Sequence, residues 1–359
     1  MTGRRPTIAD VARQVGVSKG AVSFALNGRP GVAAETRSRI LAAAAELGWQ
    51  PSQRARSLSV SRAFSLGFIV ARDPALLGSD PFFPAFIAGL ESTLSRQGQV
   101  LVLQVVTSPD DEVAGYRRLA AESRVDGFVL SDLRHADPRI ALVQELGLPA
   151  VTLNRPDIPA PFPALCLHDT PGVTEAVRHL AGLGHTRIAH VAGPDALLHG
   201  RRRRVAFLEE LDRLGLPPGP VEIADFTAAG GTSATRRLLD RADPPTAIVY
   251  ANDLMAIAGM TAARQAGLRI PEDLSITGYD DTELAAFVHP ALTTVRADPF
   301  RWGELAADTL LALIDGRQPA ETELPDAQLV LRDSTAPPGR PPTSPAPPHP
   351  RPPVKEAQS

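Results

Sequence analysis

Seven short apolar runs recur along the middle of this chain: SLGFIVA (65–71), VLVLQVV (100–106), DGFVLS (126–131), PAVTLN (149–154), RIAHVAG (187–193), TAIVYAN (246–252) and LSITGYD (274–280). Helix-length segments near 83–97, 111–123 and 137–147 separate the first four, and helices space the rest. A strand that is apolar at consecutive positions is buried on both faces, whereas a half-exposed strand alternates. Such strands, separated by helices, build parallel sheets with helices on either side, because a parallel connection must cross over. There are too many strands for one small sheet. The stretch therefore reads as two doubly wound parallel-sheet subdomains, with a ligand expected at the carboxyl ends of the strands, between the lobes.

The two ends of the chain have different patterns. Residues 336–359 contain ten prolines among 24 positions, a composition that cannot pack a core and is expected to be disordered or polyproline-like. The start reads as three short helices. In TIADVARQVGVS, residues Ile8, Val11, Ala12 and Val15 share one helix face. Thr7 is placed to cap that helix, with Asp10 three residues on, and Gly16 is placed to end it. Ser18 then caps a second helix whose inward face is Val22, Ala25 and Leu26, with Val17 just ahead. A third helix is expected at 34–47, with Ile40, Leu41, Ala44 and Leu47 as its stripe and Gly48 as its stop. Two short helices joined by a glycine-containing turn and braced by a third form a helix-turn-helix. The expected division is an all-α headpiece at 1–49, a hinge helix and linker at 50–62, a two-lobed α/β core at 63–334 and the proline-rich tail at 335–359.

Charge separates the same regions. Residues 1–62 hold ten Lys/Arg against three Asp/Glu, a net of +7, while the whole chain is −3, so the remainder carries −10. A basic head on an acidic body points to a polyanionic partner for the head. A single cysteine, Cys166, excludes an internal disulfide and fits a reducing compartment. No run of eighteen apolar residues exists, and no apolar segment follows Arg4 and Arg5 as a secretion signal requires, so the cytoplasm is the expected location. GLGH (182–185) follows a helix and precedes a strand, the reverse of a phosphate-binding order, and reads as a helix stop. No nucleophile elbow or metal-ligand spacing occurs, so no enzyme activity, cofactor or metal is expected.

The run from Thr7 to Leu58, TIADVARQVGVSKGAVSFALNGRPGVAAETRSRILAAAAELGWQPSQRARSL, resembles the headpiece and hinge of the LacI/GalR family of bacterial transcription repressors. The body continues the likeness in order: DPFF (80–83), VDGFVL (125–130), GHTRIAHVAGP (184–194), ANDLMAIAGM (251–260), LSITGYDD (274–281) and HPALTTV (289–295). The resemblance runs from about residue 5 to 333. It implies a helix-turn-helix headpiece, a short hinge helix and a core similar to periplasmic sugar-binding proteins. It also implies a homodimer on a near-palindromic double-stranded DNA operator, with affinity set by a small effector, expected to be carbohydrate, bound between the lobes.

In SKGAVSFALN the outward or sideways residues are Lys19, Gly20, Ser23, Phe24 and Asn27. The resemblance puts Lys19, Gly20 and Phe24 at the principal base-reading positions and Thr7, Ser18, Ser23 and Asn27 at phosphate-holding ones, with Ala21 as a further DNA-binding position. Small hydroxyls and amides suit phosphate contacts, which set register without reading sequence. Many family members carry Arg or another polar side chain where Phe24 stands; Arg can bond guanine bidentately and Phe cannot. Two readings are open for Phe24: against a thymine methyl, or sideways on the headpiece. Gly20 permits close backbone approach to DNA or is simply tolerated beside the cap. Lys19 is a base reader or a phosphate contact. In the hinge, QPSQRARSL (50–58), seven residues cannot hold a helix alone and should order with DNA and a second copy. Arg54 and Arg56 suit phosphates, Ala55 and Leu58 lie at i, i+3, and the resemblance makes Leu58 a wedge in the minor groove.

For the effector, the resemblance implicates Phe82 and Phe83 in the first lobe, and Arg203, Phe226, Asn252 and Asp280 in the second. Phe300 is the further match, where Pro299 adds a residue. Carboxylate, amide, guanidinium and aromatic face together suit a polyol, though a nucleobase or phosphosugar has related needs. The resulting reading is a ligand-controlled repressor. An activator, a sugar-sensing protein without DNA regulation and an enzyme on a doubly wound fold stand as alternatives.

Overall fold

The computed structural model describes residues 6–26, 28–49, 62–168 and 170–339. The chain forms two compact units, Met1–Ala63 and Phe64–Ser359. The first contains α1 (Ile8–Val15), α2 (Lys19–Leu26) and α3 (Ala34–Glu46) around the fully buried Val11, Val22 and Ile40. Asp10 Oδ2 accepts from both the backbone N–H and the hydroxyl of Thr7 (2.9 and 2.6 Å), which fixes the start of α1. Gly16 ends α1 in the left-handed region, at φ +74°. Leu41 is not in the stripe of α3. It is exposed, and Ala43 is buried with Ile40 and Ala44. Positions 40, 43, 44 and 47 repeat at helical spacing, whereas 41 is turned about 100° from 40.

The second unit holds two parallel sheets. The first-lobe sheet comprises β1 (Ser65–Ala71), β2 (Val100–Val106), β3 (Phe128–Leu130), β4 (Ala150–Leu153), β5 (Ala164–Cys166) and β11 (Thr322–Glu323), in the order β11-β5-β4-β3-β1-β2. The register of β1 on β2 runs unbroken from Ser65 opposite Val100 to Ala71 opposite Val106. The second-lobe sheet comprises β6 (Ile188–Ala192), β7 (Val221–Ile223), β8 (Ala247–Tyr250) and β9 (Ser275–Thr277), in the order β7-β6-β8-β9. β10 (Thr294–Arg296) and β12 (Gln328–Val330) form a separate antiparallel pair.

Helices of the first lobe are α4 (Pro74–Ser79), α5 (Phe82–Arg96), α6 (Pro109–Ala121), α7 (Pro138–Glu145) and, late in the chain, α13 (Pro299–Ile314). Those of the second are α8 (Thr170–Gly182), α9 (Leu198–Arg213), α10 (Ala228–Leu239), α11 (Asp253–Gln265) and the short α12 (Glu283–Phe287). The chain thus crosses between lobes after β5, after β10 and after β11. The late helix α13 returns to the first-lobe core, where Trp302, Ala306 and Leu310 pack with Leu66, Phe68 and Phe86. Glycines permit the close crossing of α5 and α13. A Cβ on Gly89 would lie 2.0 Å from the Phe300 carbonyl oxygen, and one on Gly303 2.2 Å from that of Phe86.

The core also runs past the expected boundary at 334. Thr335 Oγ1 bonds His179 Nε2 (2.9 Å), and Ala336 exchanges bonds with the Ser275 hydroxyl (3.0 Å each way). Proline content starts at 337, but the backbone just before it already has partners in the sheet edge. Positions 340–359 lie outside the described residues, as do Asn27 and the hinge residues Arg54, Ala55 and Leu58.

Candidate functional site

Within the headpiece, Ser18 Oγ accepts from the Ala21 N–H (3.1 Å). That capping bond uses a lone pair and leaves the hydroxyl hydrogen to donate, as a phosphate contact requires. Thr7 is the opposite case: its hydroxyl hydrogen goes to Asp10, and a phosphate bond there would need it released. Lys19 and Gly20 are exposed, while Ala21 and Ser23 are half-buried. Phe24 is 42% exposed and stands outside the headpiece core cluster. Its ring is not unsupported, because a Cβ on Gly31 would lie 3.6 Å from Phe24 Cδ2. The ring therefore leans on the turn after α2 and keeps much of its surface in solvent. Phe24→Arg is expected to leave headpiece stability within about 0.5 kcal/mol, as for other exposed positions. In site-selection experiments it should move the preferred sequence toward guanine at one position. Unfolding of the headpiece would instead place Phe24 in the core.

The second candidate site is a cleft between the lobes. Six of the seven residues expected there line it: Phe82, Phe83, Arg203, Phe226, Asn252 and Asp280. Phe82 opens α5, stacks on Phe86 (5.6 Å between centroids, 8° between planes) and meets Trp302 edge-on at 5.9 Å. Phe83 is buried beside it. Arg203, on α9, lies 3.5 Å over the ring of Tyr279, and its Nη1 donates to the Ala251 carbonyl (2.9 Å). Phe226 takes the left-handed backbone region at φ +67°, and its ring sits so close to Gly193 that a Cβ there would be 2.1 Å away. His199 stacks on the same ring at 5.5 Å. Burial, followed by the nearby charge of Arg203 and other arginines, pushes the His199 imidazole down to about 3 against the pull of Asp132, so it is neutral at pH 7.

Asn252 serves a largely positioning role. Its Oδ1 accepts from the Met255 N–H (2.9 Å), capping α11, and its Nδ2 donates to the Phe226 carbonyl (3.0 Å). Asp280 is held differently. Its backbone is strained at φ +110° and its N–H donates to the Val295 carbonyl (2.8 Å), but among the described residues nothing hydrogen-bonds its carboxyl. Burial, and then the charge of Asp80, push that carboxyl well above the usual carboxylate range.

Phe300 is not part of the cleft. It is 42% exposed, and its backbone rather than its ring meets α5. Trp302 lines the cleft instead, with Nε1 donating to the Leu165 carbonyl (3.1 Å). Phe300 and Trp302 are two positions apart on α13, about 200° around the helix, so they lie on opposite faces.

Several cleft residues escaped the sequence reading: Arg72, Asp80, Asp132, Asn154, His199 and Arg202. Arg72 and Asp132 directly follow or closely follow β1 and β3, and Asn154 follows β4, so a stricter use of the strand-end rule pointed at all three. Asp132 takes both arms of Arg72 (Nε–Oδ2 2.8 Å, Nη2–Oδ1 2.9 Å). Burial alone would raise the Asp132 carboxyl; Arg72 outweighs it and holds the group at about 2. Cys166, Glu321 and Glu323 also come together, within 4.8 Å, but Arg155 already pairs with both carboxylates.

Comparison with known proteins matches residues 7–52 to the description "Bacterial regulatory proteins, lacI family" and residues 177–335 to "Periplasmic binding protein-like domain". The HTH-type transcriptional regulator MalR of Streptomyces coelicolor is 36% identical over 346 residues, covering 92% of this chain and 96% of that protein. The crystal structure of the Lac repressor dimer bound to operator and the anti-inducer ONPF is 30% identical with a TM-score of 0.82, covering 93% of this chain and 100% of its own. A complex of the transcriptional regulator CelR with cellobiose is 31% identical with a TM-score of 0.70, over 92% of this chain and 100% of that one.

Proposed function

The chain belongs to the lacI family of bacterial regulatory proteins, and from that premise we propose that it is a homodimeric transcriptional repressor whose hold on a near-palindromic operator is controlled by a carbohydrate bound in the cleft. The observation that carries this reading is the pairing, in one chain, of an exposed Lys19–Phe24 helix face with a cleft that joins four aromatic rings to a carboxyl unbonded among the described residues. Aromatic faces suit sugar C–H groups, and a carboxylate accepts from hydroxyls. The CelR–cellobiose complex and the operator-bound Lac repressor dimer, each similar over nine-tenths of this chain, support both halves.

Dimerisation has a surface to use. On α12, Leu284 is 66% exposed and Phe287 77%, while Ala285 between them is fully buried and fixes the helix in place. No described helix is long and apolar enough to cross a membrane. The hinge contacts of Arg54, Ala55 and Leu58 belong to the same reading.

Coupling requires a ligand that prefers one of two states of the protein, so operator affinity must change when the cleft fills. Gel shifts with promoter fragments should show a sequence-preferring complex that weakens steeply with salt. A panel of sugars should include one that changes its affinity. Asp280→Gly fits the positive φ and removes the carboxyl, so the variant should fold and bind operator normally. Its sugar affinity should fall about fivefold, the worth of an ordinary hydrogen bond. Retained sugar response in Asp280→Gly would remove Asp280 from the site, and absence of any sequence-preferring complex would refute the repressor reading.

A further inference from the structure

The three arginines that line the cleft are each engaged by the protein itself. Asp132 fills both arms of the Arg72 fork. Arg203 donates to the Ala251 carbonyl and lies flat on Tyr279, and Arg202 Nη2 donates to the Arg155 carbonyl (2.6 Å). The carboxylates are arranged the other way. Asp280 has no hydrogen bond to its carboxyl among the described residues, and Asp80 accepts one, from the Phe82 N–H (3.0 Å). These two come from opposite lobes and repel one another across the cleft. The cleft thus offers acceptors, and the fork of its Arg72 is already filled. A phosphate or carboxylate entering it would find the Arg72 guanidinium already forked to Asp132, whose carboxyl is held charged.

We propose that Asp132 determines ligand class: as a built-in anion on Arg72 it occupies the position a ligand phosphate would take, and so restricts the cleft to uncharged, hydroxyl-rich ligands. This rests on the carbohydrate reading above and narrows it, setting aside phosphosugars. The pair is well placed for the role. Both side chains line the cleft, and the Arg72 guanidinium lies 5.2 Å over the ring of Phe226 from the other lobe, where the two lobes meet. Each remains partly accessible, at 11% and 17% of side-chain surface, so a ligand can reach the pair without unfolding it.

Asp132→Asn tests the assignment. Asn retains the shape and tolerates the left-handed backbone that Asp132 adopts at φ +51°. Full-length wild type and variant are titrated with inorganic phosphate, glucose 6-phosphate, maltose and cellobiose, followed by calorimetry and thermal shift. The wild type should ignore both phosphates and respond to a neutral disaccharide. Asp132→Asn should gain phosphate and glucose 6-phosphate binding about tenfold or more tighter than wild type, as a charge-assisted bidentate bond implies. Adding Arg72→Gln should abolish the gain. Wild-type binding of glucose 6-phosphate at or above the affinity for neutral disaccharides overturns the proposal, whether or not the variant folds. An Asp132→Asn protein that folds and stays indifferent to phosphate overturns it too. If the variant gains phosphate while no disaccharide binds wild type, the charge assignment stands and the carbohydrate reading falls.

Discussion

Arg139→Met should lower the stability of the core by about 3–5 kcal/mol, the usual consequence of removing one member of a buried ion pair. Arg139 is 2% exposed, and its partners Asp137 and Glu112 are 0% and 1% exposed. Its Nη2 donates to Asp137 Oδ2 (2.7 Å) and its Nη1 to Glu112 Oε1 (3.0 Å). The variant leaves two buried carboxylates with Arg134 beside them, through Nη2 to Glu112 and the backbone N–H to Asp137, and with the backbone N–H of residue 139 still donating to Asp137 Oδ1 (3.0 Å). The fall in Tm should be on the order of 10 °C for a unit of this size.

The effect has a pH signature. Burial would raise the Asp137 carboxyl, but hydrogen bonds and charge from Arg139 outweigh it and hold it below the usual value. A depressed carboxyl contributes stability above its unfolded value, about 3.9, and loses it as pH falls through the folded value. In the variant, buried carboxylates protonate readily and their penalty shrinks in acid. The gap between the two melting curves should therefore narrow between neutral pH and pH values below about 4. A Tm within a degree or two of wild type at pH 7 would show that the network is relaxed without Arg139. The same arginine donates to the carbonyls of Ser131 and Asp132 (2.8 and 3.0 Å), so weakened ligand binding should accompany the loss.

Phe287→Asp is expected to separate the dimer. In a two-fold interface each residue acts twice. Burying an aromatic side chain contributes roughly 2 kcal/mol, so about 4 kcal/mol, or on the order of a thousandfold in dimer affinity, is lost, before repulsion between the introduced carboxylates. Because Phe287 is 77% exposed in the single chain, each subunit should fold as before. Light scattering at micromolar concentration should report monomers, and operator affinity should collapse with the loss of the second half-site contact. A variant that stays dimeric at wild-type concentrations would move the interface away from α12.

Local chemistry made much of the molecule legible. Each of the seven apolar runs became a parallel strand or contained one, but β2 lies at the sheet edge with Val100 and Leu103 exposed, so its consecutive apolar residues did not mean burial on both faces. The expected helix at 83–97 is Phe82–Arg96, and α1 and α2 begin directly after Thr7 and Ser18. The strands that went unseen, β5, β7 and β10 to β12, are two or three residues long. Pieces so short carry no period, and they exist because the neighbouring strand provides bonding partners. In SKGAVSFALN, Phe24 is outward while leaning on Gly31, a contact only the following turn creates.

The sequence alone therefore determined most of the longer elements, the headpiece and six of the seven expected cleft residues, because caps, periodicity and residue chemistry act over a few neighbours. Tertiary structure decided what those residues do. Asn252 became a helix cap that holds Phe226, and Trp302 replaced Phe300 on the inward face of α13. Asp132 closed on Arg72, sixty positions earlier in the chain, because β1 and β3 are adjacent strands and their carboxyl ends open into one cleft. Such adjacency depends on strand order and on the crossovers between lobes, and no pattern within either segment encodes it.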